Sequence, residues 1–296
     1  MIISSNFYKL CIFLLFIMAS CTSENSKKEE SIIENNANRV ITLSPHLAEM
    51  LFNLGALDTL VGVSAYTDFP EELKNLPNIG DAFVLDIEKI TILEPDIILA
   101  WESGTPQNIV DELVNLGFKV KIIKSKNLED IASSILLLGE VVGKKNEAKK
   151  IANEFKTGIK YLKDTYQKNK KLRVFFQIDE KPIFTIGGSH FISEVIDICG
   201  GINIFSDVKQ TAPSISEESV VSRDPEVIFS RDVASNKMKL KIWEKFNNMS
   251  AIKLDNLFYL NARELERPTS GLVNAGKEIC SKLEQARSNY KIYTNN

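Results

Sequence analysis

The sequence predicts an α/β protein of two Rossmann-like lobes, each with a mostly parallel sheet, joined by one long backbone helix. Three observations support this architecture: a long amphipathic segment in mid-chain, segments that recur on either side of it, and the alternation of short apolar strands with helices. The chain has 296 residues, of which 44% are hydrophobic and 25% are charged. That length is sufficient for two domain-sized cores.

The long helix is predicted from about Asn146 to about Asn169. Apolar side chains recur there at spacings of three and four, as expected for one stripe along a helix: Ile151, Phe155, Ile159, Leu162 and Tyr166. At about 1.5 Å per residue the helix spans roughly 35 Å, about the width of a small domain. An ordinary packed helix has the same pattern, so its role as a link depends on the flanking segments.

The segments on the two sides of this helix repeat each other. The stretch around Glu88 and the stretch around Glu218 both read as an N-capping residue, a glutamate two positions later and a short helix. In both, a proline between two acidic residues then precedes an apolar strand. A helix closed by glycine and followed by a strand also occurs in each half, ending at Gly55 and at Gly200. Two pairs in the same order favour two related lobes.

The N-terminus resembles that of a bacterial lipoprotein. Lys9 precedes the apolar run from Leu10 to Met18, and Ala-Ser-Cys21 reads as a lipobox. The run is short for a membrane span and typical of a signal peptide, with an uncleaved anchor helix as the alternative. We therefore expect cleavage before Cys21, lipid on Cys21, and anchoring on the periplasmic face of a bacterial membrane or at the cell surface.

These features predict five segments. They are a signal peptide at 1–20, a flexible tether at 21–37, an N-terminal α/β lobe at 38–143, the inter-lobe backbone helix at 144–170 and a C-terminal α/β lobe at 171–296.

Two cysteines remain after the signal peptide and the lipidated residue, namely Cys199 and Cys280. In an oxidising compartment we expect them to form a disulfide, with two separate buried thiols as the alternative.

Candidate ligand-binding residues lie where predicted parallel strands end. Tyr66 and Trp101 follow strands of the first lobe, and Phe184 is placed in a loop beyond the first strand of the second. Arg263 and Arg267 follow the last strand. Ligands of open parallel sheets bind outside the carboxyl ends of the strands, so two facing lobes would bring these residues to one cleft.

Seven stretches between about residue 39 and residue 286 match a known family: RVITLSPHLAEMLFNLGA, GVSAYTDFP, IEKITILEPDIILAW, PIFTIGG, CGGINIFSDV, ISEESVVSRDPEVI and ELERPTSG. With them the chain resembles the periplasmic cobalamin (vitamin B12)-binding proteins of ABC importers. These belong to the class III periplasmic binding proteins, which also bind siderophores and haem. The combination of SAYTDFP, a strand ending in AW and two cysteines is typical of the cobalamin branch.

The resemblance implies that Tyr66, Trp101 and Phe184 line the cleft and that Arg267 makes a polar contact. Cobalamin or a related corrinoid is then a transported ligand, bound without a protein axial ligand, and no cofactor or metal is expected. Each aromatic side chain could instead be ordinary core packing. The sequence also departs from the family, because Ala212 and the stretch GDAFVLDIE stand where many members have tryptophan.

The resemblance further implies that Glu88 and Glu218 dock this chain, as a monomer, onto the permease dimer of an ABC importer. A glutamate early in a helix more often compensates the helix dipole, but here it occurs in both lobes. The competing ligands are a ferric siderophore or haem, with which Arg263 would pair.

Other functional classes have little support in the sequence. The net charge is −3, without a large basic block, which argues against nucleic-acid binding. No P-loop, nucleophile elbow or HExxH occurs, which argues against an enzyme. His46 and His190 are the only histidines, too few for a clustered-histidine metal site, and are predicted to be surface or capping residues.

Overall fold

The computed structural model describes residues 36–232 and 240–295. The predicted signal peptide, the lipidated Cys21 and the tether up to residue 35 lie outside the described residues. The rest of the chain, Ala37–Asn296, forms one compact unit by its contacts. Among the described residues no helix is both long enough and apolar enough to span a membrane.

The first lobe contains a parallel sheet covered by helices. Its strands are β1 (Val40–Thr42), β2 (Leu60–Val63), β3 (Ile97–Trp101) and β4 (Val120–Ile123). Their order in the sheet is β2-β1-β3-β4, and each neighbouring pair is parallel. Its helices are α1 (Pro45–Asn53), α2 (Ile87–Ile92), α3 (Gln107–Asn115) and α4 (Leu128–Val141). Short 3-10 turns occupy Leu57–Thr59 and Glu71–Asn75.

The second lobe has a mixed sheet in the part of the chain that the structure describes. Its strands are β5 (Leu172–Glu180), β6 (Ile183–Thr185), β7 (Gly201–Asn203), β8 (Ser214–Ile215), β9 (Val227–Asp232) and β10 (Leu257–Asn261). The order is β10-β9-β5-β6-β8, with β7 also paired to β5. The pairs that involve β6 are antiparallel and the others are parallel, so the predicted α/β class with mostly parallel sheets is confirmed.

The helices of the second lobe complete the chain. They are α6 (Phe191–Ile198), α7 (Glu217–Arg223), α8 (Ser250–Lys253), α9 (Ala262–Glu266) and α10 (Leu272–Asn295), with a 3-10 turn at Lys241–Trp243. The predicted N-caps of the two repeated short helices are present. Asp86 accepts a hydrogen bond from the N–H of Lys89, and Ser216 accepts one from the N–H of Ser219.

In the order of the chain, the long helix α5 (Lys145–Tyr166) follows the strands of the first sheet and precedes those of the second. Its buried side chains include Phe155 and Leu162, and they belong to one apolar cluster that also contains Leu99 of the first lobe and Phe229 of the second. A Cβ at Gly158 would lie 2.6 Å from the side chain of Val273, so glycine lets α5 and α10 approach closely. The shared core explains why the described lobes form one compact unit.

Candidate ligand-binding cleft

Trp101 is the last residue of β3, at the carboxyl edge of the first sheet. Its indole Nε1–H donates to Ser125 Oγ at 2.7 Å, and its backbone N–H donates to Thr105 Oγ1 at 3.0 Å. A Cβ at Gly104 would lie 2.1 Å from the ring, so only glycine lets this turn fold against the indole. The half-buried ring is therefore held in one orientation at the edge where ligands bind parallel sheets.

An apolar cavity of about 160 Å³ lies where Trp101 faces the second lobe. Its other lining residues come from the second lobe: Phe176, Ile178, Ile186, His190, Phe191, Ile192, Arg231 and Leu265. Pockets for drug-sized ligands enclose roughly 300–1,000 Å³. The cavity is thus large enough for only the inner end of such a ligand, and the remainder would extend toward the mouth of the cleft.

Tyr66 lies beyond β2 with its ring in solvent. Its side chain is 82% exposed and its backbone has a φ of 64°, a left-handed conformation that is costly for any residue except glycine. Flanking hydrogen bonds hold the turn, from Thr67 Oγ1 to the Ser64 carbonyl at 2.8 Å and from the Ala65 N–H to the Gly80 carbonyl at 2.7 Å. A strained turn that exposes an aromatic ring is typical of a ligand-contacting loop.

Phe184 does not lie in a loop, as the sequence analysis expected. It is the central residue of β6 and is paired with Asp179 of β5 and with Ser214 of β8. The expectation was wrong because Gly187 and Gly188 made the whole stretch read as a turn, whereas β6 is a strand of the second sheet between β5 and β8. The phenyl ring is half-buried, and the cavity beside Trp101 is lined by other residues.

His46 is neither a surface residue nor a cap. Its side chain is 4% exposed, and its ring contacts the Trp101 ring edge to face, with 4.9 Å between the centroids. Nδ1 lies 2.6 Å from Ser44 Oγ, and Nε2 has no hydrogen-bond partner among the described residues. Burial, and secondarily the charge of Arg267, lower the pKa of His46 to about 3, so the ring is neutral.

His190 does cap a helix, because its Nδ1 accepts the N–H of Ile192 at 3.1 Å. Burial lowers the pKa of His190 to about 4.

The low pKa of His46 predicts acid sensitivity. The pKa of this histidine is lower in the folded than in the unfolded protein. Its contribution to the free energy of unfolding is therefore complete above its ordinary pKa of about 6.5 and decreases as the pH falls toward 3. Between about pH 7.5 and pH 5, His46 should remove about 2 kcal/mol from the free energy of unfolding. Urea unfolding of the wild type and of His46→Asn measures this, and equal pH slopes for the two proteins would contradict it.

Arg267 forms an ion-pair cluster across the two lobes. Its Nη1 donates to Glu49 Oε2 at 3.0 Å and to the Phe69 carbonyl at 3.2 Å, and its Nη2 donates to Asp68 Oδ1 at 2.7 Å. Thr269 Oγ1 donates to the other oxygen of Glu49 at 3.1 Å. The bond from Arg267 lowers the pKa of Asp68. Arg267 therefore bridges the two lobes with much of its hydrogen-bonding capacity already used, and it is not among the residues that line the cavity beside Trp101.

Arg263 lies near this cluster but on the surface. Its guanidinium carbon lies 4.2 Å from the centroid of the Phe69 ring, a cation–π contact. Both side chains are exposed and line a polar groove that also contains Glu49. An anionic ligand would meet Arg263 at this groove, outside the cavity beside Trp101.

Glu88 and Glu218 occupy matching places on the two short helices. Each is the second residue of its helix, α2 or α7, and each side chain is exposed. The pKa of Glu218 is lowered, first by a hydrogen bond from its own backbone N–H and then by the Ser216 hydroxyl. Both side chains are exposed to solvent, so a partner could reach either carboxylate.

Cys199 and Cys280 are joined by a disulfide that links the end of α6 to α10. Their Cα atoms are 4.7 Å apart and both side chains are fully buried.

The contacts of Glu49 with Arg267 and of His46 with Trp101 were not anticipated from the sequence. One signal was available for Glu49, because it is the only charged residue in the buried run of α1, which extends from His46 to Leu51. A carboxylate within an apolar helix face requires a partner. The identity of that partner was not available, since Arg267 is 218 positions away.

A family model described as periplasmic binding protein matches residues 40–264. The chain belongs to the periplasmic binding protein family. The match covers the first lobe, the long helix and the second lobe as far as residue 264, so the family assignment made from sequence motifs is confirmed.

Several members of the periplasmic binding protein family are similar over most of this chain. A vitamin B12-binding protein of Vibrio cholerae serotype O1 is 35% identical over 252 residues, covering 85% of this chain and 91% of that protein. The crystal structure of the periplasmic vitamin B12 binding protein of Vibrio cholerae matches with a TM-score of 0.78 at 35% identity, over 85% of this chain and 98% of that chain. The resemblance to vitamin B12-binding proteins is thereby confirmed.

A periplasmic heme binding protein of Vibrio cholerae matches with a TM-score of 0.71 at 19% identity, over 83% of this chain and 98% of that chain. This likeness shows the shared fold alone.

Proposed function

We propose that this chain is a periplasmic binding protein, rather than an enzyme, that captures cobalamin or a related corrinoid between its lobes. The observation that carries the proposal is the indole of Trp101, fixed by Ser125 and Gly104 and facing an apolar cavity. A flat aromatic ring and an apolar wall suit a large, rigid macrocycle, because burial and stacking of such a ligand are favourable. The similarity to vitamin B12-binding proteins supports the same ligand.

The remaining predicted contacts would extend outward from Trp101. Tyr66 would cover the ligand at the mouth, and Phe184 would contact it from the second sheet. Arg267 has Nε–H and one Nη2–H without a partner among the described residues. Those two groups would donate to carbonyl oxygens of the amide side chains of a corrinoid. In this proposal cobalamin is transported and takes no part in catalysis.

The proposal includes delivery to an ABC importer. Glu88 and Glu218 would pair with arginines of a permease dimer, one from each lobe of a monomeric binding protein. Lipid on Cys21 would anchor the protein at the periplasmic face of the membrane. Exposure of both carboxylates and their matching positions in the two lobes support the docking role.

Titration with cyanocobalamin tests the ligand. We expect the full-length chain, purified in detergent, to bind one equivalent with sub-micromolar affinity in calorimetry. Trp101→Ala should weaken binding at least about thirtyfold, because a fixed aromatic anchor contributes about 2 kcal/mol or more. Tyr161→Ala is the matched control, since Tyr161 is an aromatic residue 61% exposed on α5.

Quenching of tryptophan fluorescence tests whether the ligand binds beside Trp101. The chain has two tryptophans, and Trp243 is fully buried with its Nε1–H bonded to Gln177. Quenching of the wild type that is largely lost in Trp101→Ala would place the corrinoid beside Trp101. Absence of binding at tens of micromolar by folded protein would exclude the corrinoid.

A siderophore or haem is the second candidate. The observation that favours it is Arg263, an exposed cation stacked on Phe69 in the polar groove that also contains Glu49. Hemin and a ferric siderophore are therefore titrated in parallel. Tighter binding of either one, weakened by Arg263→Ala and unaffected by Trp101→Ala, would replace the corrinoid proposal.

A further inference from the structure

Glu49 is a carboxylate inside the apolar face of α1. It is 8% exposed, and its neighbours Leu47, Ala48, Met50 and Leu51 are buried as well. An ionised carboxylate in such a place is costly unless it is paired and hydrogen-bonded. Glu49 is both, because Arg267 donates to one oxygen and Thr269 to the other. Glu49 belongs to the first lobe, whereas both donors follow β10 of the second.

Arg267 is held by the first lobe on more than one side. Besides Glu49, it contacts Asp68 Oδ1 and the carbonyl of Phe69, both of which belong to the loop after β2. Its side chain is 16% exposed. The guanidinium thus projects from the second lobe and is enclosed by groups of the first. Its position depends on both lobes at once.

The cluster lies next to α5, the helix that links the lobes in the sequence. Glu49 lines a groove together with Phe155 and Glu154 of α5, the helix that links the lobes. At its other end, the charge of Arg267 acts on His46, whose ring contacts Trp101. An ion pair between the lobes at this place would restrict their relative orientation.

We propose that Glu49 is a positioning residue that fixes Arg267, and through Arg267 the relative orientation of the two lobes. Corrinoid affinity then depends on a buried side chain whose own oxygens are already occupied by Arg267 and Thr269. Fixing the lobes beforehand removes an ordering cost from binding. It also aims the two remaining N–H groups of Arg267 at the ligand. The ligand part of this inference rests on the proposed function, but the lobe part does not.

A double-mutant cycle on cyanocobalamin affinity tests the positioning role. Glu49→Ala in the full-length chain should weaken binding about tenfold. In the Arg267→Ala background the same change should have less than about a twofold effect, because no guanidinium remains to be positioned. Glu49→Gln should restore part of the loss, since its amide oxygen still accepts from Arg267.

Glu154→Ala is the matched control, because this glutamate is exposed, lines the same groove and forms no ion pair among residues 36–232 and 240–295. It should bind as the wild type does. A loss of affinity in Glu49→Ala that is equally large in the Arg267→Ala background would overturn the inference, and so would unchanged affinity in Glu49→Ala.

The distance between the lobes is measured without ligand. Thr91→Cys and Lys253→Cys, at exposed sites on α2 and α8, are introduced into the wild type and into each variant and spin-labelled. Pulsed electron paramagnetic resonance then measures the distance between the two labels, one on each lobe. We expect one narrow distance in the wild type and in Glu154→Ala, and a broader distribution in Glu49→Ala. Equal widths in all three proteins would refute lobe fixation. If cyanocobalamin fails to bind the wild type, the proposed function fails, and these distances still decide the role of Glu49.

Discussion

Simultaneous replacement of Glu88 and Glu218 by lysine is expected to abolish cobalamin uptake and to leave cobalamin affinity unchanged. Both carboxylates are exposed on short helices, away from the cavity beside Trp101. In the proposed docking, reversal would place like charges against permease arginines, which costs several kcal/mol, or more than about a hundredfold in complex formation. Uptake of labelled cyanocobalamin by cells and calorimetry of the purified variant provide the two readouts.

A second double reversal controls for the change in net charge. Glu112 and Glu244 are exposed, lie one on each lobe, and form no ion pair in the part of the chain that the structure describes. Glu112→Lys with Glu244→Lys should transport normally. Normal uptake by the Glu88→Lys, Glu218→Lys variant would disprove the docking role. A loss of cobalamin affinity in that variant would also contradict it, because the glutamates would then affect ligand binding rather than docking alone.

Removal of the disulfide by Cys199→Ala and Cys280→Ala is expected to lower the free energy of unfolding by about 4 kcal/mol. The bond connects positions 81 residues apart, so its loss enlarges the conformational freedom of the unfolded chain. The native backbone should change little. Arg287 Nη2 donates to the carbonyls of Cys199 at 3.0 Å and of Gly200 at 2.9 Å, and this holds the turn independently of the sulfur atoms.

Urea unfolding with and without reductant measures this effect. The wild type should lose the same free energy on reduction, whereas the double variant should not respond to reductant. A loss below about 1 kcal/mol, or a response of the double variant, would contradict the prediction. Cyanocobalamin affinity should persist in the double variant, because both cysteines lie outside the cavity beside Trp101.

Much of the fold was predictable because its signals are local. The apolar spacing of α5, the caps Asp86 and Ser216 and the glycines that close helices all act within a few residues. The observed helix, Lys145–Tyr166, is slightly shorter than the predicted Asn146–Asn169 at its C-terminal end.

Phe184 was misplaced because its strand lacks such a local signal. Its strand has three residues, too few to establish an alternating pattern, and it exists because β5 and β8 pair with it.

The position of a candidate residue was predictable where it follows directly on a strand, as for Trp101 at the end of β3. It was not predictable where the environment is created by packing. The sequence shows a histidine next to a proline at a helix start, and only the folded chain places that ring, His46, against Trp101 and out of water.

From its amino acids alone this chain can be recognised as a two-lobed α/β binding protein, and the sequence also nominates candidate site residues, which stay predictions: Tyr66, Trp101, Phe184, Arg267, Glu88 and Glu218. Those features depend on spacing and residue type, which are properties of short segments. Only the tertiary structure joins Glu49 to Arg267 and buries His46, because each of these environments requires segments from distant parts of the chain to pack together. The cost of burying a charge is decided by its partners, and no local pattern in a sequence specifies partners that are 218 positions apart.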